Sequence, residues 1–352
     1  MPDRPHPLLE LTRARVLEFL REPEAVFWVF VFPVLLALAL GIAFRSRPAE
    51  VARAAVVSGS EAARETAERL SRAPGVEVRL LGLPEAEEAL RKGRVDVVLE
   101  VSGAPPPAAL VTYRFDPTRP EGRAARLAVD DALQREGGRA DAVPTADRPE
   151  TERGSRYIDF LIPGLVGLNL MGSGMWGIGF SVVVARTRKL LKRFAATPMR
   201  RSHYLLSFAL SRLVFLALEV AAVVGFGWLA FGVAVRGSIL DLSLVSLLGA
   251  AAFAGLGLLV AARPRTIEAV SGWMNFVMLP MWLLSGTFFS YERFPEALRP
   301  AIRALPLTAL NDALRAVVND GAALSDRWPE ALVLVAWTVA SFALALRIFR
   351  WK

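Results

Sequence analysis

Arg212 and Glu219 stand out because they lie seven residues apart inside Tyr204–Val235, a run with no other charge. Seven residues are two helical turns, so both side chains fall on one face, where they can meet each other or a polar group on a neighbouring element. Charges inside a membrane helix are costly and face a bundle interior or a wet cavity, so the pair is a candidate for substrate handling or gating. An intrabundle anchor is the competing reading, with Arg212 snorkelling to the nearby helix end. Asp159, at the start of another apolar run, reads as solvated. Gly172-Ser173-Gly174-Met175-Trp176-Gly177 spells G-x-G-x-x-G, yet no strand precedes it and no ribose-binding acid follows in a βαβ unit. With Gly164, Gly167 and Gly179, these glycines read as points of close helix approach, and gating flexibility is a secondary reading.

Other chemistry finds few residues to use. Cysteine is absent and His6 and His203 are the two imidazoles, which removes thiolate nucleophiles and thiolate metal sites. None of the lysines, Lys92, Lys189, Lys192 and Lys352, follows a glycine, and no G-x-x-x-x-G-K-[ST] occurs, so the Walker route to nucleotide is closed. H-E-x-x-H, G-x-S-x-G and EF-hand patterns are missing as well. The expectation is a non-catalytic chain with no metal or cofactor of its own.

The elements that must position these residues are membrane spans. Of 352 residues 54% are hydrophobic and 22% charged, and the mean hydropathy is +0.39, too apolar for an ordinary soluble chain. A helix crossing the ~30 Å hydrocarbon layer takes about 20 apolar residues. Segments at 25–44, about 157–185, 204–235, 242–262, 269–291 and 331–349 meet or approach this, the sixth by snorkelling of Arg347 and Arg350. A cleaved signal peptide would set a ~7–15-residue apolar core behind a short basic leader. Here 24 residues holding five acids precede a run of 20, which favours a retained anchor.

Charge supplies the orientation. Residues 46–156 hold 18 Lys/Arg against 19 Asp/Glu, leaving 24 against 15 elsewhere, so the basic excess flanks the apolar runs. That is the membrane pattern, and it argues against a nucleic-acid partner. Sixteen Lys/Arg in residues 1–24, in 186–203, after the fourth span and after the sixth fall on one side if both termini are cytoplasmic. Residues 46–156 and the segment 292–330 are then external. The 186–203 loop is the most basic, and Leu190, Leu191 and Phe194 share a near-common face beside Arg188 and Lys189. Such a stretch fits a groove on a partner protein, apolar knobs inside and charges at the rim; positive-inside charge alone is the plain alternative.

Residues 46–156 change character. Val51–Val57, Val76–Leu83, Val95–Val101 and Leu110–Phe115 read as strands, and Glu61–Arg72, Pro84–Gly93 and Arg119–Glu136 as helices. The order β-α-β-α-β-β-α argues a small α/β domain, tied back to the membrane by the polar stretch 137–155. Residues 8–22 form an amphipathic helix with Leu9, Val16, Leu17 and Leu20 near one side; it lies in the cytoplasmic membrane interface or packs on the loops. The fold class is therefore a mainly α-helical polytopic membrane protein of six transmembrane helices with an inserted external α/β domain: 1–24 the N-terminal helix, 25–44 the first span, 46–156 the domain, 157–352 the remaining spans with loop 186–203 and re-entry segment 292–330.

Several pieces recur in order: Arg21-Glu22-Pro23 before Phe32-Pro33-Val34-Leu35-Leu36; Leu190-Leu191-Lys192-Arg193-Phe194-Ala195-Ala196-Thr197-Pro198-Met199; Ser285-Gly286-Thr287-Phe288-Phe289 through Phe294-Pro295; then Leu305-Pro306-Leu307-Thr308 and Asp312-Ala313-Leu314-Arg315. With six spans and the α/β insertion, the chain resembles the permease subunit of a type-2 ATP-binding-cassette (ABC) exporter, in the subgroup with a large external domain after the first span. The resemblance implies separate ABC ATPase subunits that bind ATP and Mg, a second permease copy or paralogue, and contact with membrane lipids. It also implies a place in the bacterial cytoplasmic (inner) membrane, and coupling to the ATPase through the loop that includes Thr197 and Pro198. One departure is visible: such permeases commonly carry a glutamate shortly before that Thr-Pro, whereas Arg186-Thr187-Arg188-Lys189 stands here, which points to a partner with an acidic groove. A hydrophobic or amphipathic substrate (a drug, lipid or lipid-linked molecule) fits Trp176, Trp228, Trp273, Phe276, Met278 and Trp282 as a lining, although span aromatics also serve as packing and interface anchors. The alternative function is a membrane-anchored envelope recognition or assembly protein acting through the external domain, for which six spans are more than an anchor needs.

Overall fold

The computed structural model describes residues 7–44, 51–103, 109–139, 143, 156–187, 201–264 and 266–348. The chain divides into two compact units, Ser46–Glu150 and the remainder, Met1–Arg45 with Thr151–Lys352.

The inserted unit follows the expected order: β1 (Ala52–Val57), α1 (Glu61–Arg72), β2 (Val76–Leu81), α2 (Leu83–Arg91), β3 (Val97–Gly103), β4 (Ala109–Arg114) and α3 (Pro120–Glu136). The sheet runs β2-β1-β3-β4, with β1 parallel to both neighbours and β4 antiparallel to β3. The run Ala54-Ala55-Val56 is fully buried because helices cover both faces, as in parallel sheets generally. On one face Ala54, Val56, Val97 and Leu99 pack against Leu70 of α1 and Val129 of α3. On the other, Ala55 and Val98 meet Ala86 and Ala89 of α2. Ser60 starts α1 by accepting the Ala63 N–H at 3.1 Å, and prolines fill the first turns of α2 and α3, where a missing N–H costs nothing.

Among the described residues of the other unit, six helices are long and apolar enough to cross a membrane: Pro23–Ala43, Tyr157–Val184, Leu210–Phe231, Ile239–Ala261, Ile267–Leu284 and Leu324–Ile348. The second and fourth are the most deeply buried and form the centre. Small residues make that possible. A Cβ on Gly174 would lie 2.8 Å from Phe253 Cβ, and one on Gly249 would lie 2.6 Å from Leu310, so backbones approach where lipid gives no hydrophobic drive. The third helix begins at Arg201 and ends at Phe231, because Gly232 takes a left-handed φ of 66° and the Gly232 and Val233 N–H groups turn back to Trp228 and Gly227. The fifth stops at Leu284, ahead of a turn in which Gly286 has φ 69°.

Two further elements pack on these helices. The N-terminal helix Pro7–Leu20 packs on the third-span helix, with the Phe19 ring 4.4 Å from that of Phe215. Leu9, Leu17 and Leu20 lie on its exposed side and Val16 is half-buried, so the apolar face picked out in sequence is largely the outward one. Within 292–330, Pro306–Arg315 forms a helix whose Leu307, Thr308, Leu310, Asn311 and Leu314 are fully buried among the spans.

Among the described residues the helices also contain three π turns: Phe27–Val31 in the first span, Met175–Phe180 in the second, and Ala316–Asp320 after the buried helix. Single π turns in α-helices occur often at functional sites.

Candidate functional site

Arg212 and Glu219 do face each other. Arg212 Nη1 lies 3.0 Å from Glu219 Oε1, and a third member completes the group: the Ser173 hydroxyl accepts from Arg212 Nη2 at 2.7 Å and donates to Glu219 Oε2 at 2.8 Å. Ser173 belongs to the second span, one residue before its last α-helical position and two before the π turn at Met175–Phe180. Glu219 sits about 13 Å along the helix from Leu210, where the 22-residue apolar stretch begins, at ~1.5 Å per residue. Its side chain is 2% exposed and that of Arg212 20%. The charged groups close a ring of hydrogen bonds between two spans, which is how an ion pair survives so far from water.

A second polar cluster ties the buried helix to the start of the second span. Arg315 lies 3.6 Å over the Phe160 ring and donates to the carbonyls of Phe160, at 3.2 Å, and Gly286. Asn311 donates to the Ser285 carbonyl at 3.1 Å and to the Thr287 hydroxyl at 3.2 Å, while Tyr157 donates to the Phe288 carbonyl at 3.0 Å. Asp312 accepts from the Tyr291 hydroxyl at 3.1 Å and lies 3.6 Å from Arg315. Burial pushes the Arg315 guanidinium down to about 10 and lifts the Asp312 carboxyl above its usual range, but the arginine stays charged at neutral pH. Asp159 belongs to this end as well. It is 3% exposed and paired with Arg156 at 2.8 Å, so the expectation of a solvated acid is wrong. The Arg156 guanidinium reaches on to the Phe231 carbonyl at 3.0 Å, and Asn319 donates to the Asp159 carbonyl at 2.9 Å.

These arrangements hold helices together. Each oxygen of Glu219 accepts a hydrogen bond within the ring. Among the described residues no group of His, Asp and Glu could hold a metal ion. Arg188, Lys189, Leu190, Leu191, Phe194, Thr197 and Pro198, the residues expected to contact an ATPase, lie outside the described residues. Of the apolar lining suggested in sequence, Met278 is buried, Trp176 is half-buried, and Trp228, Trp273, Phe276 and Trp282 are exposed, so they do not form one enclosed chamber.

Sequence reasoning passed over Ser173, Asn311 and Arg315. Ser173 stood in plain view as the one polar residue of Gly172-Ser173-Gly174, and Leu307, Leu310 and Leu314 carry a helical spacing that marks the buried helix.

Comparison with known proteins places this geometry. The model of the ABC-2 family transporter proteins matches residues 24–347. "ABC transporter G family member 20" of Dictyostelium discoideum is 26% identical over 195 residues, covering 54% of this chain and 27% of that protein. "Inner membrane transport permease YhhJ" of Escherichia coli K12 is 29% identical over 119 residues, covering 34% of this chain and 32% of that protein, and its Shigella flexneri counterpart matches equally. The matches thus span about a third or less of the length of these relatives. Six apolar helices among the described residues and a family match over nearly the whole chain converge: the chain belongs to the ABC-2 family of transporter membrane proteins.

Proposed function

We propose that the chain is the permease subunit of an ATP-driven exporter in the bacterial cytoplasmic membrane, moving a hydrophobic or amphipathic substrate such as a drug, lipid or lipid-linked molecule. The family match over residues 24–347, in a sequence without a phosphate-binding lysine motif, carries this reading. The energy then enters from separate ABC ATPase subunits that hold ATP and Mg, and two permease copies, or one copy and a paralogue, form the pathway. The relative named as an inner membrane transport permease supports the same membrane. The sixteen flanking Lys/Arg support cytoplasmic termini and an external inserted unit.

Coupling passes through residues 186–203, where the charge is densest and Leu190, Leu191 and Phe194 offer apolar knobs. Replacing Leu191 and Phe194 with Ser keeps the charge and removes two knobs. Each is worth ~1.5–3 kcal/mol when buried in a partner, so docking weakens about a hundredfold or more. The double variant should insert normally yet fail to copurify with the ATPase or stimulate its turnover. Normal assembly and export would move coupling elsewhere, to the N-terminal helix first.

A further inference from the structure

The second span changes its surroundings at Ser173. Before that point it is wedged into the centre of the bundle: a Cβ on Gly164 would lie 2.6 Å from the Thr287 carbonyl oxygen, and one on Gly167 only 2.0 Å from Asn311 Oδ1. After it comes the π turn Met175–Phe180, then the short arm Ser181–Thr187 that leads into the basic loop. One side of this turn rests on the fourth span, where a Cβ on Gly179 would lie 2.6 Å from the Gly257 carbonyl oxygen. The other side is open at Gly177, where a Cβ would meet no atom of the described residues within 4 Å, as is also true of Gly172 just before the turn.

The other two π turns are clamped from outside their own helix. The Val29 carbonyl takes the Asn169 side-chain amide at 3.0 Å. The Val317 and Val318 carbonyls take the Gly237 and Arg236 N–H groups at 3.0 and 2.9 Å. In the second span, among the described residues, the Gly177 carbonyl accepts from Ser181, four residues along the same helix. The third span, which returns from the basic loop, is fastened to the second at the same level by the Ser173–Arg212–Glu219 ring.

We propose that Met175–Phe180 and the Ser173–Arg212–Glu219 ring together form a two-stranded hinge, about which the cytoplasmic arms of the second and third spans turn as one lever. The inference rests on the coupling role given to residues 186–203. A π turn is a place where a helix bends, so a small stroke at the loop is absorbed here while the wedged part holds still.

Alanine favours the α-helix over less regular turns, so Gly172→Ala with Gly177→Ala stiffens the hinge without a clash. In proteoliposomes of the full chain with its ATPase, this variant should export about fivefold more slowly with ATPase yield unchanged. Gly225→Ala with Gly272→Ala, equally free of neighbours, should export normally. Wild-type export by the first variant overturns the hinge, whereas ATPase binding retained by Leu191→Ser with Phe194→Ser overturns the coupling role instead. Because the chain lacks cysteine, introduced labels are unique. Spin labels at Val182→Cys and Leu247→Cys should change separation by several ångströms on trapping with ADP and vanadate, while a Leu247→Cys and Leu298→Cys pair stays fixed. Any other pattern overturns the hinge.

Discussion

Replacing Glu219 by Gln tests whether the intramembrane ring is a fastening or a disposable pair. The amide keeps the shape, yet it leaves the Arg212 cation, 20% exposed, without its counter-charge. Breaking a buried ion pair by removing one partner costs about 3–5 kcal/mol. The partial exposure of Arg212 and its retained bond to Ser173 place this case near the lower end, ~3 kcal/mol. Removing both charges, as Arg212→Met with Glu219→Leu, leaves no stranded ion and should recover most of that loss, because packed apolar pairs replace buried ion pairs at little cost. The assay is the melting midpoint of detergent-solubilised protein, followed by retention of a monodisperse elution peak. Glu219→Gln should melt several degrees below wild type and the double variant close to it. A single variant as stable as wild type, or a double variant no better than the single, would refute the reasoning.

The orientation is tested at Ser102, which is exposed on β3: a Ser102→Cys chain should react with an impermeant maleimide in intact cells, and labelling only after lysis reverses the topology. Gly167→Ala forces a Cβ to within 2.0 Å of the Asn311 amide oxygen, on a side chain that is fully buried. Overpacking of this kind costs ~1–3 kcal/mol and should lower the melting midpoint, with partial recovery when Asn311→Ala removes the obstructing amide. No recovery would mean that this contact is not the source of the strain.

The α/β unit was legible because its strands and helices carry different periods and are separated by turn residues. Glu61–Arg72, bracketed by Ser60 and Pro74, is found at its predicted bounds. The spans were legible from length and hydropathy alone. The π turns were not, since a uniformly apolar segment such as Met175–Phe180 carries no polar marker that would reveal a change of period. Arg212 and Glu219 could be placed on one face by spacing, but their third partner sits 46 residues from Glu219, beyond any local rule. Asp159 was misread for a different reason: Arg156 lies three residues before it, within reach of an ion pair, and the charge was judged by its position at a span end instead.

The sheet order imposes a schedule on synthesis. β1 is an inner strand, yet the partners on its two edges begin at Val76 and Val97, so the first strand made waits for both of them before it is covered on both sides. At about 5–20 residues per second, the 40 or so residues between Val57 and Leu99 take a few seconds to appear. For that interval Ala54-Ala55-Val56-Val57 is an apolar strand with at least one bare edge, the kind of segment that pairs with a neighbouring chain. Nascent chains that terminate between Leu81 and Val97 never leave that state, whereas those that reach Arg114 have all four strands in hand.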